Sequence, residues 1–301
     1  MRVFLCALAR RVREISRADE NGNPVDSSFR RGIRSPGLRS SSYQIQEENV
    51  KLLKLTAALS VLMLLALSAA AQEPGTIAAI ELQTPKNGML KQYEDGRKQK
   101  VEWHKQQKDT QGLFVFQILT GDHTGTYMVA RFGQHWTDFD KPSVPDADDL
   151  AQYQKLIGST VEGLVTSYWE DLPKVSNPST DMNGKYTEVI TFHIRYGHGD
   201  DFRSAIARMA EARQKMNSPS HYSWHRLVNG GPGGTYVITF ERANWASMGD
   251  DPAIKPLRDD LRAAFGEQEA TSVIERLNTS IESTYSELME FRPDLSYLPA
   301  K

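Results

Sequence analysis

The sequence predicts an α+β protein made of two tandem copies of one β-α-β-β-α module. Three observations carry that prediction. Two segments repeat at a fixed offset of 109, so that Gly121, Gly125, Thr126, Tyr127 and Trp136 match Gly230, Gly234, Thr235, Tyr236 and Trp245. Strand-like and helix-like runs follow each other in the same order around each repeat. The composition, 39% hydrophobic and 25% charged, is that of a chain able to build a packed core. A repeat of about 110 residues marks a duplicated domain, since solenoid units are shorter.

The elements follow in order. Ile77–Gln83 alternates apolar and polar residues as a strand does. Met89–Gln107 has helical spacing. Leu113–Leu119 and the segment that opens Gly125-Thr-Tyr127 read as two strands joined by a glycine-bearing turn, a hairpin signal. Ala147–Asp171 reads as a second helical region. The second copy repeats the plan. Tyr186–Tyr196 is a strand, and Asp201–Lys215 is a helix whose Phe202, Ile206, Met209 and Ala210 share a face. Tyr222–Val228 and the segment after Gly234 form a hairpin. Ile254–Phe291 is a long helical region with a break near Gly266. Asp200-Asp201 favours a helix N-terminus, as do Asp146-Ala-Asp-Asp149 and Asp250-Asp251. Pro173, Pro178 and Asn183-Gly184 interrupt the chain between the copies.

Ahead of the modules lies a different kind of sequence. Lys51-Leu-Leu-Lys54 is basic, Leu55 to Leu67 is apolar and uncharged, and Ser68-Ala-Ala-Ala71 supplies small residues. That is the order of a secretory signal cleaved after Ala71. The apolar run is shorter than the roughly 18 residues of a membrane span, so no stable membrane anchor is expected after cleavage. The expected location is the periplasm or the cell exterior. Residues 1–49 carry nine Arg, no Lys and no sustained period. They read as a disordered or untranslated extension, with translation starting at Val50. The domain plan is therefore 1–49 extension, 50–71 signal peptide, 72–175 first module and 184–301 second module.

From Gln72 onward there are 25 basic and 32 acidic residues, which leaves that part near −7. A field of that sign argues against nucleic acid as a partner. Cys6 is the single cysteine and precedes the cleavage point. The mature chain thus has no disulfide, thiolate metal site or cysteine nucleophile. No metal-ligand set is expected.

Two β-α-β-β-α units of this kind resemble the ferredoxin-like modules of the dimeric α+β barrel superfamily. The resemblance rests on element order and on the repeat, and spans most of residues 76–298. It implies antiparallel sheets that pack into one barrel, here both from one chain, and hence a monomer. It also implies a cleft for a small molecule. The superfamily further includes cofactor-independent monooxygenases and haem-dependent oxidases.

Strand alternation then nominates residues for that cleft. Ala78, Ile80 and Leu82 match Ile190, Phe192 and Ile194 as an apolar set expected under the helices. The opposite face carries Glu81 and Gln83 in one copy, and His193 and Arg195 in the other. On the second copy's hairpin, His225 or Arg226 faces inward. Glu81, His193, Arg195, His225 and Arg226 are therefore the candidate ligand-binding residues. His193, His225 and Arg195 are the candidates for any catalytic role. Phe116 stands where the second copy has His225, an asymmetry that suits one pocket. Trp103-His104 and His135-Trp136 read as core tryptophan beside surface histidine. Asn229-Gly-Gly-Pro-Gly-Gly234 lacks the ending of a phosphate loop and reads as the hairpin turn. The expected function is binding of a small apolar or aromatic ligand between the modules, with no cofactor required. The alternative that the resemblance implies is a cofactor-independent monooxygenase-like or haem-dependent oxidoreductase, with haem as the possible cofactor.

Overall fold

The computed structural model describes residues 75–179, 184–249 and 251–299. The extension, the signal segment with its Ala71 cleavage point, and Asp250 lie outside the described residues. The first copy runs β1 (Ile77–Pro85), α1 (Leu90–Gln107), β2 (Phe114–Ile118), β3 (Tyr127–Gln134), α2 (Asp146–Leu156) and β4 (Val161–Asp171). The second runs β5 (Tyr186–Ile194), α3 (Gly199–Lys215), β6 (Ser223–Asn229), β7 (Thr235–Arg242), α4 (Leu257–Phe265), α5 (Glu267–Ser280) and β8 (Ile281–Phe291). Each module is thus β-α-β-β-α-β, one strand longer than the sequence pattern suggests.

The eight strands close into a ring in the order β1-β3-β2-β8-β5-β7-β6-β4. Read within each copy, this is the ferredoxin-like order, fourth strand first. The two sheets do not face each other as separate layers. They join edge to edge where β2 pairs with β8 and β4 pairs with β6. All pairings are antiparallel. This is the α+β barrel architecture that the resemblance implies, carried by one chain. Closure leaves no free sheet edge among the described strands.

The strands β4 and β8 correct the helical reading of Ala147–Asp171 and Ile254–Phe291. Ile281, Tyr285 and Leu288 have helical spacing, yet they lie on an eleven-residue strand. β8 pairs with β5 along most of its length and with β2 at its end, and those partners decide its conformation. Tertiary pairing overrides a local period in this way when both edges of a strand are satisfied. The helix break near Gly266 is present: Gly266 separates α4 from α5 with φ of 87°. The first-turn acids Asp146, Asp148 and Asp149 of α2, and Asp200 and Asp201 of α3, lie at the positive ends of their helices.

Register decides which side chains face the helices. Gln83 pairs with Tyr127, and Phe192 pairs with Tyr236. The 109 offset therefore holds for the first strand of each copy as well. Gln83 corresponds to Phe192 and Glu81 to Ile190. Matching Ala78 with Ile190 is out of register by three, and an odd slip exchanges the two faces of a strand. In the second module the expectation stands: Phe192 and Ile194 pack with Phe202 and Ile206 of α3. In the first module it is reversed. Glu81 and Gln83 lie under the helices, while Ala78, Ile80 and Leu82 face the barrel interior. On that inner face Phe114 and Phe116 lie 5.4 and 5.2 Å from Phe132 and Phe291 respectively, ring to ring. Eight strands leave an interior about wide enough for its own side chains.

Candidate ligand cavity in the first module

The two modules use the same space differently. On α3, Phe202, Ile206 and Met209 form one stripe that packs against Phe192, Trp224 and Ile238 of the sheet. Subtracting 109 from each number gives Tyr93, Arg97 and Lys100 on α1, against Gln83, Val115 and Val129. On the sheet side, Ile190 becomes Glu81 and Phe240 becomes Arg131. A core of large apolar residues in the second module is thus a polar cavity in the first. The cavity has a volume of about 500 Å³. It lies between β1, β3 and β4 on one side and α1 and α2 on the other, inside the first module and not between the modules.

Spacing along α1 places Arg97, Lys100 and His104 on the same face. Close approach of α1 to the end of α2 depends on Gly96, where an added Cβ would lie 2.3 Å from the Leu156 carbonyl oxygen. Lys100 is buried and donates to the Asp149 carboxylate at 2.6 Å and to its backbone oxygen at 2.8 Å. Burial pushes the Lys100 ammonium below its ordinary range, and the Asp149 contacts oppose this. Asp109 is the acceptor at the centre of a second cluster. It takes hydrogen bonds from the Gln111 N–H at 2.9 Å, from Arg131 at 3.2 Å and from the Ser143 hydroxyl. Burial pushes its carboxyl up, but the close His104 imidazole, the hydrogen bonds from Ser143 and Gln111 and the Arg131 charge outweigh burial and hold it below the usual carboxylate range.

His104 is fully buried. Its Nδ1 lies 2.9 Å from Asp109 and its Nε2 3.4 Å from Asp149, though both pairs are bent away from good hydrogen-bond alignment. The expectation of surface histidine beside core tryptophan is therefore overturned at Trp103-His104, where Trp103 is half-buried. At His135-Trp136 the tryptophan is the exposed partner. At the first pair the imidazole has carboxylates on both sides and the Lys100 ammonium lies 4.7 Å over the Trp103 ring; at the second the Trp136 ring lies against Phe139 and Tyr168.

Arg97 differs from its neighbours. It is 2% exposed, and its Nε and Nη2 are buried without a hydrogen-bond partner. Among the described residues it forms no ion pair. Opposite it, Tyr93 donates to Gln83 at 3.0 Å, and Gln83 donates to Glu81 at 2.7 Å. At the mouth, Phe139 and Tyr168 line the cavity with rings 5.3 Å apart, and Trp136 lies 5.7 Å from each. Leu113, Val129 and Leu164 supply apolar wall. The arrangement offers a buried cation and aromatic surface within one cavity.

Of the residues nominated from the sequence, Glu81 lines this cavity. The other four lie elsewhere. His193 faces the barrel interior, with Nδ1 3.2 Å from the Thr235 hydroxyl. His225 also faces inward, with Nδ1 2.7 Å from Asp171 and Nε2 3.4 Å from Thr239. Arg226 points outward and pairs with Glu170 at 2.5 Å. Arg195 is exposed just beyond the end of β5. The five therefore do not form one cleft. Arg97, Lys100 and Asp109 were not singled out, although the signal existed. It was the exchange of apolar for charged residues between the copies along α1 at the same offset.

The cavity residues do not fit a haem. His104 is the one imidazole lining the cavity, and both its nitrogens face carboxylates, so neither is open to an iron.

No family model matches the chain, and no curated protein is similar to it. Among solved structures, the chain is similar to a candidate monooxygenase from Lactobacillus acidophilus, with 8% identity and a TM-score of 0.47 over 75% of this chain and 97% of that one. It is similar to an anthrone oxidase-like protein, with 9% identity and a TM-score of 0.44 over 74% and 93%. It is also similar to chlorite dismutase from Candidatus Nitrospira defluvii, with 10% identity and a TM-score of 0.43 over 74% and 93%. Identities this low give no basis for carrying any residue's role from those proteins to this one.

Proposed function

We propose that this is an exported binding protein for a small organic acid with an apolar or aromatic body, taken up in the cavity of the first module. The observation that carries the reading is Arg97, a buried guanidinium with unpartnered donors at a cavity of ligand size. A buried charge without a partner is costly, and a ligand carboxylate could take two parallel hydrogen bonds from it. The apolar walls and the aromatic mouth suit the rest of such a molecule. Export rests on the leader that ends at Ala71.

The test is calorimetric titration of the purified protein, and of its Arg97→Met variant, with benzoate, phenylacetate and 3-phenylpropanoate. Wild type is expected to bind at least one of them and to gain melting temperature. At a ligand concentration of 100 Kd the gain is about 2.7 kcal/mol. Arg97→Met is expected to bind none. Its ligand-free melting temperature should equal or exceed that of wild type, because the change removes an uncompensated buried charge. A variant that melts well below wild type, with no response of wild type to any acid, would make Arg97 a structural residue and sink the reading.

A further inference from the structure

The cavity holds a second unpaired charge of opposite sign. Glu81 forms no ion pair among the described residues, and its one hydrogen bond is from the Gln83 amide to Oε2. Tyr93 donates to the Gln83 carbonyl and so orients that amide with its N–H groups toward Glu81. The chain of donors ends on Glu81 and leaves Oε1 as an open acceptor. The other carboxylates are committed. Asp149 holds Lys100, Asp109 holds Arg131 and Ser143, and Asp138 accepts the His135 N–H. Asp146 is exposed at the rim. Glu81 and Arg97 therefore face one cavity as two charges that do not pair with each other. In the second module both positions are isoleucine, Ile190 and Ile206, so the duplicated fold itself requires neither charge.

We propose that the cavity takes a zwitterion, a free α-amino acid with an aromatic or large apolar side chain. Its carboxylate would lie on Arg97, its ammonium on Glu81, and its side chain against Leu164, Phe139 and Tyr168. The proposal rests on the organic-acid reading above and narrows it. Glu81 disfavours a second negative group, so dicarboxylates are excluded. A plain monocarboxylate leaves the Glu81 acceptor unmet, and a site with unmet polar groups discriminates strongly against the analogue that lacks the matching donor.

The test compares four ligands by titration of the whole protein at pH 7: L-phenylalanine, L-leucine, 3-phenylpropanoate, which lacks the ammonium, and phenethylamine, which lacks the carboxylate. L-phenylalanine or L-leucine is expected to bind at least tenfold more tightly than 3-phenylpropanoate, and phenethylamine is expected not to bind. Glu81→Gln should abolish that preference by weakening L-phenylalanine and L-leucine at least tenfold, with no such loss for 3-phenylpropanoate. Equal or tighter binding of 3-phenylpropanoate to wild type overturns the zwitterion while the organic-acid reading survives. Binding of none of the four, together with none of the simple acids, overturns both. The wild-type comparison stands by itself should Glu81→Gln fold poorly.

Discussion

Asp109 shows how one buried carboxylate can hold a local structure. It gathers hydrogen bonds from β3, the loop after β3 and its own turn, and lies 2.9 Å from His104 of α1, so its loss would leave Arg131 and Ser143 without their acceptor. Asp109→Asn is expected to lower stability by about 3 kcal/mol, as breaking one side of a buried ion pair does. Its folded-state pKa is depressed below the unfolded value of about 3.9. The stability it contributes is therefore present above about pH 4 and is lost as pH falls through the lower folded value. Urea midpoints measured from pH 5 down to pH 2.5 should fall more steeply for wild type than for Asp109→Asn. Parallel curves would remove Asp109 from the acid response. At the same scale, His225 is held in place by a carboxylate. Its Nδ1 is taken by Asp171, a cross-strand pair at the seam between modules.

At the scale of elements, helix α1 positions the cavity because Gly96 lets it approach α2. Its counterpart Ala205 is fully buried on α3, in a module where the stripe below is apolar. Gly96→Val is expected to push α1 away from the Leu156 carbonyl, destabilise by about 2 kcal/mol or more, and weaken ligand binding in proportion. Chemical denaturation and the titrations above check both effects. A variant as stable as wild type would show that the contact relaxes freely. The helices and the hairpins were legible in the sequence because their periods agree with their environments: Leu90–Gln107 and Gly199–Lys215 lie within two residues of the segments read from spacing. The fourth strands were not legible. Val161–Asp171 and Ile281–Phe291 carry mixed patterns, and their hydrogen-bond partners lie in distant parts of the chain.

At the scale of the whole molecule, each module depends on the other for its edges. β2 closes on β8, and β4 closes on β6. A fragment of residues 72–175 would expose β2 and β4 as unpaired edges. It is expected to form a dimer or larger species on size exclusion with light scattering. A stable monomer would show that edge pairing is not what ties the modules together. Closure also separates two kinds of interior. One lies inside the barrel; the other, between sheet and helices, is packed in one module and hollow in the other.

The repeat, its offset and the α+β class were properties of the sequence alone, because repeats and periods are written along the chain. The change from Ile206 to Arg97 along the first helix can be read by the same subtraction, whereas the match of Ile190 with Glu81 needed the strand register. What only the tertiary structure decided was which face of β1 lies under the helices. A strand has period two, so a register error of one or three residues moves every side chain to the other side. The pairing of Gln83 with Tyr127, and of Phe192 with Tyr236, removes that ambiguity. It places Glu81 beside Arg97's cavity and leaves His193 and His225 on the opposite face of the sheet.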